Sequence, residues 1–332
     1  MKKNKILFST DPIMKDYIYL FEKNLKKYFR DAIYITGSEP SKYEMNFLQK
    51  KTKVLSRHKG KIFNLFRKRY NIYLENHYEN LIEKYKDIDY ILAIGGVYYS
   101  GDFLRRLKKI NPSIRTIAFL WDDFSEEIIE IYKEDYDVVY TFEKSSALKY
   151  GLKFRPSFYL ERVIEKKKID CYYLGTLRES ERYNKINEIF NYCKKNKLKN
   201  DLKLYIEKKN MIKDYKNSSI LIHEKIGYKE NLEKCKSSKV VIELNYKNQK
   251  GLTLRSLECI GFRSKLITEN EDIKNYDFYN PENIYVIKNK DDIKNIPLSF
   301  FEENYKTLDK KIENKYSLEG FLKEIFAEGE KL

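Results

Sequence analysis

Short β-branched runs, each closed by glycine or an acid and followed by a helical pattern, recur along this chain and constrain its fold more than any other feature. Residues 4-NKILFST-10 read as a buried strand ended by Asp11 and Pro12. Ile18, Tyr19, Phe21, Leu25 and Phe29 then suggest a helix, and 32-AIYITG-37 returns as a strand. After a Lys-rich, helix-like stretch from Ser41 to Tyr85, the alternation resumes with 89-DYILAIGG-96, a helix over 102–109, 115-RTIAFLW-121, a further helix, 136-YDVVYTFE-143 and a helix over 144–150. Continuous apolar strands are buried on both faces, as a parallel sheet between two helix layers requires. The order predicts an α/β fold with a doubly wound sheet, in which ligands bind at the carboxyl ends of the strands. Gly95-Gly96, Trp121-Asp122-Asp123 and Glu143 fall at such ends.

The stretch 151–168, with Pro156 and the charge run Glu165 to Lys168, reads as a boundary. A second α/β unit starts at 169-IDCYYLG-175 and continues through 202-LKLYI-206, 218-SSILIHEK-225, 239-KVVIELNY-246 and 265-KLIT-268. A loop and short strand follow in 273–287, then an amphipathic helix over 317–328. A chain of 332 residues is long enough for two such domains, each with its own core.

Within the second unit, 249-QKGLTLRSLECIGFRSKLITEN-270 is the most informative stretch. Gly251 lets the backbone approach a ligand, and Leu252 leads into Thr253, a candidate N-cap. Leu254, Leu257 and Ile260 give the helix an apolar stripe, and it should stop near Gly261. The free amides and positive dipole end at its start form an anion site, with Lys250 beside it. Arg255 and Glu258, three apart, place a cation and a carboxylate on one face. Strand, glycine turn, helix and strand could hold a diphosphate and a ribose together. The competing reading makes Arg255 and Glu258 a surface ion pair worth little.

These residues resemble the nucleotide-sugar site of glycosyltransferases with the GT-B fold. More closely, GLTLRSLECIGFRSKLIT followed by IKNYDFYNPENI is similar to bacterial polysaccharide and lipopolysaccharide biosynthesis proteins of the CgeB-like kind. The resemblance covers most of 89–290. It implies two Rossmann-like doubly wound domains facing across a cleft: an acceptor domain over 1–160, a nucleotide-sugar domain over 168–305, and a C-terminal segment over 306–332 crossing back to the first. Glu258 would bind the ribose hydroxyls, and the helix start would face the diphosphate. Gly175 closes the first strand of the second unit, and the loop after it would bring Arg178 to phosphate, with Arg182 a weaker candidate. The segment 227-GYKENLEKCKSSKVV-241 fits the Tyr-x-acid-x-Leu loop of the pattern, so that backbone near Tyr228 would edge the base. One departure is that Gly251 stands where larger GT-B families carry a second, sugar-contacting acid.

Composition narrows the partners. The formal charge of +16 fits an anionic substrate, an anionic membrane surface or nucleic acid. No zinc finger, RNP-like aromatic motif or basic tail accompanies it, which argues against nucleic acid. The stretch 57-RHKGKIFNLFRKRY-70 interleaves aromatic and basic residues and is the candidate membrane-facing or lipid-linked-acceptor face, although a solvated helix reads the same way. No apolar run approaches a membrane span, so the expected place is the cytoplasm or the inner face of its membrane. Cys171, Cys193, Cys235 and Cys259 are widely spaced and read as free buried thiols.

Glycosyl transfer needs the leaving diphosphate stabilised and, for inversion, a base for the acceptor hydroxyl. The resemblance implies Arg, Lys and helix-start amides in place of a metal, and no cofactor besides the nucleotide sugar as substrate. Trp121-Asp122-Asp123 only imitates a metal-binding DxD motif. His58, His77 and His223 do not stand out as bases. Asp11, then Asp122, are the candidate catalytic bases, with helix capping the alternative for both. The expectation is a GT-B glycosyltransferase moving a sugar from a nucleotide-sugar donor to a surface-glycan or lipid-linked acceptor. A nucleotide-sugar epimerase and a non-catalytic sugar-nucleotide-binding subunit are the rivals.

Overall fold

A computed structural model describes residues 3–35, 51–52, 76, 79–95, 101–122, 124–207, 215, 218–245 and 251–329. The expected stretch 57–70, together with His58, His77, Gly96, Asp123 and Lys250, lies outside the described residues. The chain forms two compact units, Met1–Arg155 and Pro156–Leu332.

The first unit holds a six-stranded sheet in the order β2-β1-β3-β4-β5-β6, with every pairing parallel. Its strands are β1 (Lys3–Ser9), β2 (Phe29–Tyr34), β3 (Tyr90–Ile94), β4 (Arg115–Leu120), β5 (Val138–Thr141) and β6 (Lys153–Phe154). Helices α1 (Ile18–Leu25), α2 (Gly101–Ile110), α3 (Glu126–Asp135) and α4 (Lys144–Tyr150) connect them. Each residue of β3 is buried, which explains its unbroken apolar run. One core joins Leu7, Ile91 and Ala118 of the strands to Phe103, Leu104 and Leu107 of α2 and Tyr132 of α3. Winding reverses between β1 and β3, so their carboxyl ends flank the switch point.

The second unit repeats the plan in the order β12-β11-β10-β7-β8-β9, again parallel. Its strands are β7 (Ile169–Thr176), β8 (Asn200–Tyr205), β9 (Leu221–Ile222), β10 (Ser238–Glu243), β11 (Lys265–Thr268) and β12 (Ile284–Val286). Its helices are α5 (Ser180–Lys195), α6 (Tyr228–Lys236), α7 (Leu254–Phe262), α8 (Lys290–Lys294), α9 (Ser299–Glu302), α10 (Lys310–Lys315) and α11 (Leu318–Gly329). The switch point falls between β7 and β10, the two strands whose carboxyl ends the sequence marked with Gly175 and with the turn at Gly251.

The segment read as a linker is tied into the second unit. Lys167 Nζ donates to the carbonyls of Lys236 at 2.9 Å and Phe262 at 2.8 Å, and to Ser264 Oγ at 2.8 Å. One ammonium thus closes the carbonyl ends of both α6 and α7, where a cation is favoured. Lys236, itself buried, pairs with Glu161 at 2.7 Å and Glu233 at 2.9 Å. The last helix lies on the same segment: Phe321 of α11 packs on Phe158 at 4.4 Å between ring centroids.

Two local expectations change. Residues 153–154, assigned to the boundary, form β6, a strand too short to leave a pattern. Helix α7 carries no one-sided stripe, since every residue from Ser256 to Phe262 is buried. The helix ends at Phe262, next to Gly261 as expected, with Arg263 at φ 49° in the left-handed position usually given to glycine. Gly261 itself serves packing: a Cβ there would lie 2.7 Å from the Glu161 carbonyl and from the Tyr159 ring.

Candidate functional site

The candidate site is assembled where β10 hands over to α7. Glu243 ends β10 with 2% exposure. Thr253 Oγ1 donates to its Oε1, Ser256 Oγ lies 2.8 and 2.9 Å from its two oxygens, and Thr268 Oγ1 donates to Oε2 at 2.7 Å. An acid can end an apolar strand only with such partners, because an unpaired buried charge is costly. Each hydroxyl bonded to a charge contributes about 1.5–3 kcal/mol. Glu243 therefore fastens the start of α7 to β10 and to β11. The sequence reading passed over it, although an acid closing 239-KVVIE-243 ahead of Thr253, Ser256 and Thr268 was the available signal.

Thr253 occupies the N-cap position of α7, but its side chain makes no cap bond because the hydroxyl is turned to Glu243. The first-turn amides thus receive no cap from Thr253. Gly251 and Leu252 are buried, and the Gly251 carbonyl accepts from Asn270 Nδ2 at 3.3 Å, which ties the turn to the end of β11.

Arg255 reaches toward the strand layer. Its guanidinium centre lies 6.0 Å from the Tyr173 ring centroid, and Nη1 donates to the Ile242 carbonyl at 3.5 Å. Its Nε is buried and has no hydrogen-bond partner among the described residues. Glu258 is 3% exposed and accepts from the Tyr228 hydroxyl, at the start of α6. The surface ion-pair alternative therefore does not describe these two residues. Burial pushes the Glu258 carboxyl up to about 7, against the opposing pull of the Tyr228 hydrogen bond and the Arg255 charge, while Glu243 adds to the rise. A carboxylate near neutrality, enclosed beside a helix start at a switch point, is the kind of perturbed group that marks functional sites.

At the end of β7 the backbone is equally crowded. A Cβ at Gly175 would lie 2.1 Å from the Tyr173 hydroxyl. Arg182 bridges the strand ends: its guanidinium donates to the carbonyls of Thr176 at 3.1 Å, Leu244 at 3.4 Å and Asn245 at 3.1 Å. That arginine closes the gap between β7 and β10, whereas Arg178 is exposed on the loop between β7 and α5. Tyr228 is the first residue of α6, and Leu232 on the same helix is fully buried. His223, just beyond β9, has a buried Nδ1 with no hydrogen-bond partner among the described residues.

In the first unit, Asp11 follows β1 and its Oδ1 accepts from the Ile13 amide at 2.9 Å, capping a short 3-10 turn. Asp122 is exposed beyond β4, and the N-cap of α3 is Ser125. Glu143 precedes α4 and accepts from Ser146 Oγ at 2.5 Å. Gly95 has φ 81°, and a Cβ there would lie 2.3 Å from Trp121 Cε2, 2.4 Å from Cζ2 and 2.8 Å from Nε1. Gly95 therefore packs directly against the Nε1–Cε2–Cζ2 side of the indole. Among the described residues, no group of three or more His, Cys, Asp or Glu could hold a metal ion, and no helix is long and apolar enough to cross a membrane. The four cysteines are free and buried.

No protein-family model matches the chain, and no curated protein matches it. Solved structures do. AviGT4, a glycosyltransferase involved in avilamycin A biosynthesis, superposes with a TM-score of 0.50 at 8% identity, over 98% of this chain and 96% of that one. A UDP-N-acetylglucosamine 2-epimerase from Rickettsia bellii gives 0.48 at 10% identity over 98% and 97%. Glycyrrhiza uralensis UGT73P12, complexed with glycyrrhetinic acid 3-O-monoglucuronide, gives 0.47 at 10% over 99% and 96%. With its two parallel six-stranded sheets and their flanking helices, the chain has the two-domain α/β fold of GT-B proteins. That likeness concerns the fold alone.

Proposed function

We propose that the protein is a glycosyltransferase that takes a sugar from a nucleotide-sugar donor and delivers it to a bacterial surface-glycan or lipid-linked precursor. The observation that carries the reading is the enclosed carboxylate of Glu258, on the helix whose start Thr253 leaves uncapped at the switch point of the second unit. On this reading Glu258 accepts the ribose hydroxyls. The amides of Gly251, Leu252 and Thr253 face the diphosphate, and Lys250 and Arg178 neutralise it. Arg255 adds positive charge from beneath the helix start. Backbone at Gly175 and Tyr228 edges the nucleotide, and Asp11 or Asp122 takes the proton of the acceptor hydroxyl. The surface-glycan acceptor rests on the resemblance of the sequence, strongest in 249–287, to CgeB-like proteins, a family that no comparison shows for this chain. The excess of positive charge supports an anionic partner, including the inner membrane face, and no nucleic acid is invoked.

The test is a panel of uridine, guanosine, thymidine and cytidine diphosphate sugars, with and without EDTA. Released nucleoside diphosphate, insensitive to chelation, is the expected outcome. An isomerised sugar that stays on its nucleotide would make the protein an epimerase. Binding without turnover would make it a sugar-nucleotide-binding subunit, and absence of binding would overturn the reading.

A further inference from the structure

Glu258 is already occupied. The phenol of Tyr228 donates to Oε1, and this is the one hydrogen bond that Glu258 accepts among the described residues. With 3% exposure, the carboxylate has almost no surface left for a ligand while the phenol stays in place. The helices that bear the two residues are tied at their carbonyl ends, where Lys167 bonds to both and Ser264 Oγ donates to the Cys235 carbonyl of α6 at 3.2 Å. Tyr228 stands half-buried at the other end of α6, on its first residue, where a turn of its side chain is the smallest movement that uncovers Glu258.

We infer that Tyr228 is the resident occupant of the ribose subsite, a positioning residue whose hydroxyl stands on Glu258 where a ribose hydroxyl stands in the complex. This rests on the nucleotide-binding reading of Glu258. Nucleotide binding is then an exchange: one phenol O–H leaves the carboxylate and the vicinal diol of a ribose brings two. The charged acid stays hydrogen-bonded in both states, so the empty site does not bear an unpaired buried charge. The exchange also lowers net affinity by the bond given up, which favours release of the spent nucleotide. A ligand with a single hydroxyl only replaces like with like, and one with none leaves the phenol where it is.

Two measurements test this. Calorimetric titration of uridine, guanosine, adenosine and cytidine diphosphate at pH 8.5 should show that Tyr228→Phe tightens the preferred nucleotide by about ten- to hundredfold, because the competing bond to a charged acceptor is gone. In a Glu258→Gln background the same substitution should change affinity little. Weaker binding by Tyr228→Phe would make the phenol a nucleotide ligand in its own right, and unchanged binding would mean that it never leaves. Either result overturns the exchange while the nucleotide site stands. Failure of the wild type to bind any of the four removes the site itself. Should Tyr228→Phe not fold, 3-fluorotyrosine at position 228 keeps the hydroxyl. Its fluorine resonance should move on saturation with the ribonucleotide and stay in place with the 2′,3′-dideoxy analogue. A resonance unmoved by the ribonucleotide overturns the proposal.

Discussion

Replacing Glu258 by glutamine should stabilise the empty protein above neutral pH while weakening nucleotide binding. The carboxyl ionises near 4.5 in an unfolded chain and near 7 in the folded one, where burial penalises the charge. Between those values the folded state holds more protons, so stability falls as pH rises from about 4.5 to about 7 and is level above. At 1.36 kcal/mol per pH unit, the ionised carboxylate costs about 3 kcal/mol at pH 8. Glutamine keeps the shape and does not titrate. The stability of the variant relative to wild type should therefore improve by about 3 kcal/mol between pH 4.5 and pH 8. The thiols that face Glu258 do not blur the window, because burial pushes Cys235 up to about 12 and Cys259 well above its ordinary value. Urea unfolding of both proteins at half-unit steps from pH 4.5 to 8.5 measures the difference. A gap that stays constant with pH would show that Glu258 titrates as an ordinary carboxylate and is not enclosed as described.

Other consequences follow from the same geometry. Ribonucleoside diphosphate affinity of the wild type should rise with pH up to about 7, by at most tenfold per unit, because the diol binds the ionised acid; a flat profile in calorimetry would separate Glu258 from binding. Glu243→Ala strips three hydroxyls of their shared acceptor and should cost about 3 kcal/mol or more in urea unfolding; a loss under 1 kcal/mol would mean that the cluster does not hold the start of α7. Gly95→Ala should cost more than about 1 kcal/mol, from the left-handed backbone and the clash with the indole. It should also shift the emission of Trp121, the one tryptophan of the chain, and an unchanged spectrum would contradict the contact.

Much of the fold was legible because parallel sheets write themselves as apolar runs. The strand expected over 265–268 is β11, and the helix expected over 144–150 is α4. Edges were harder: β10 ends at Glu243 rather than at residue 246, since an acid satisfied by distant hydroxyls looks like any other strand residue. Gly261 marked the end of α7 to within one residue, but spacing could not show that its bare Cα also admits the Tyr159 ring or that Arg263 takes the left-handed position. Spacing put Arg255 and Glu258 on one face but could not give their partners, which come from β7 and α6. Tyr228 and Glu258 lie thirty positions apart in sequence, and only the packing of α6 on α7 brings them together. Arg182 looked like a weaker copy of Arg178, yet its carbonyl partners lie sixty-two and sixty-three residues away and make it a clamp.

Recognition of a donor's ribose by Glu258 can be read out by calorimetry at pH 8. A ribonucleoside diphosphate and its 2′-deoxy analogue are titrated against wild type and Glu258→Gln. Wild type should prefer the ribose form, and the variant should bind it about tenfold to a hundredfold more weakly and lose most of that preference. Equal binding of the two nucleotides by both proteins would contradict the account.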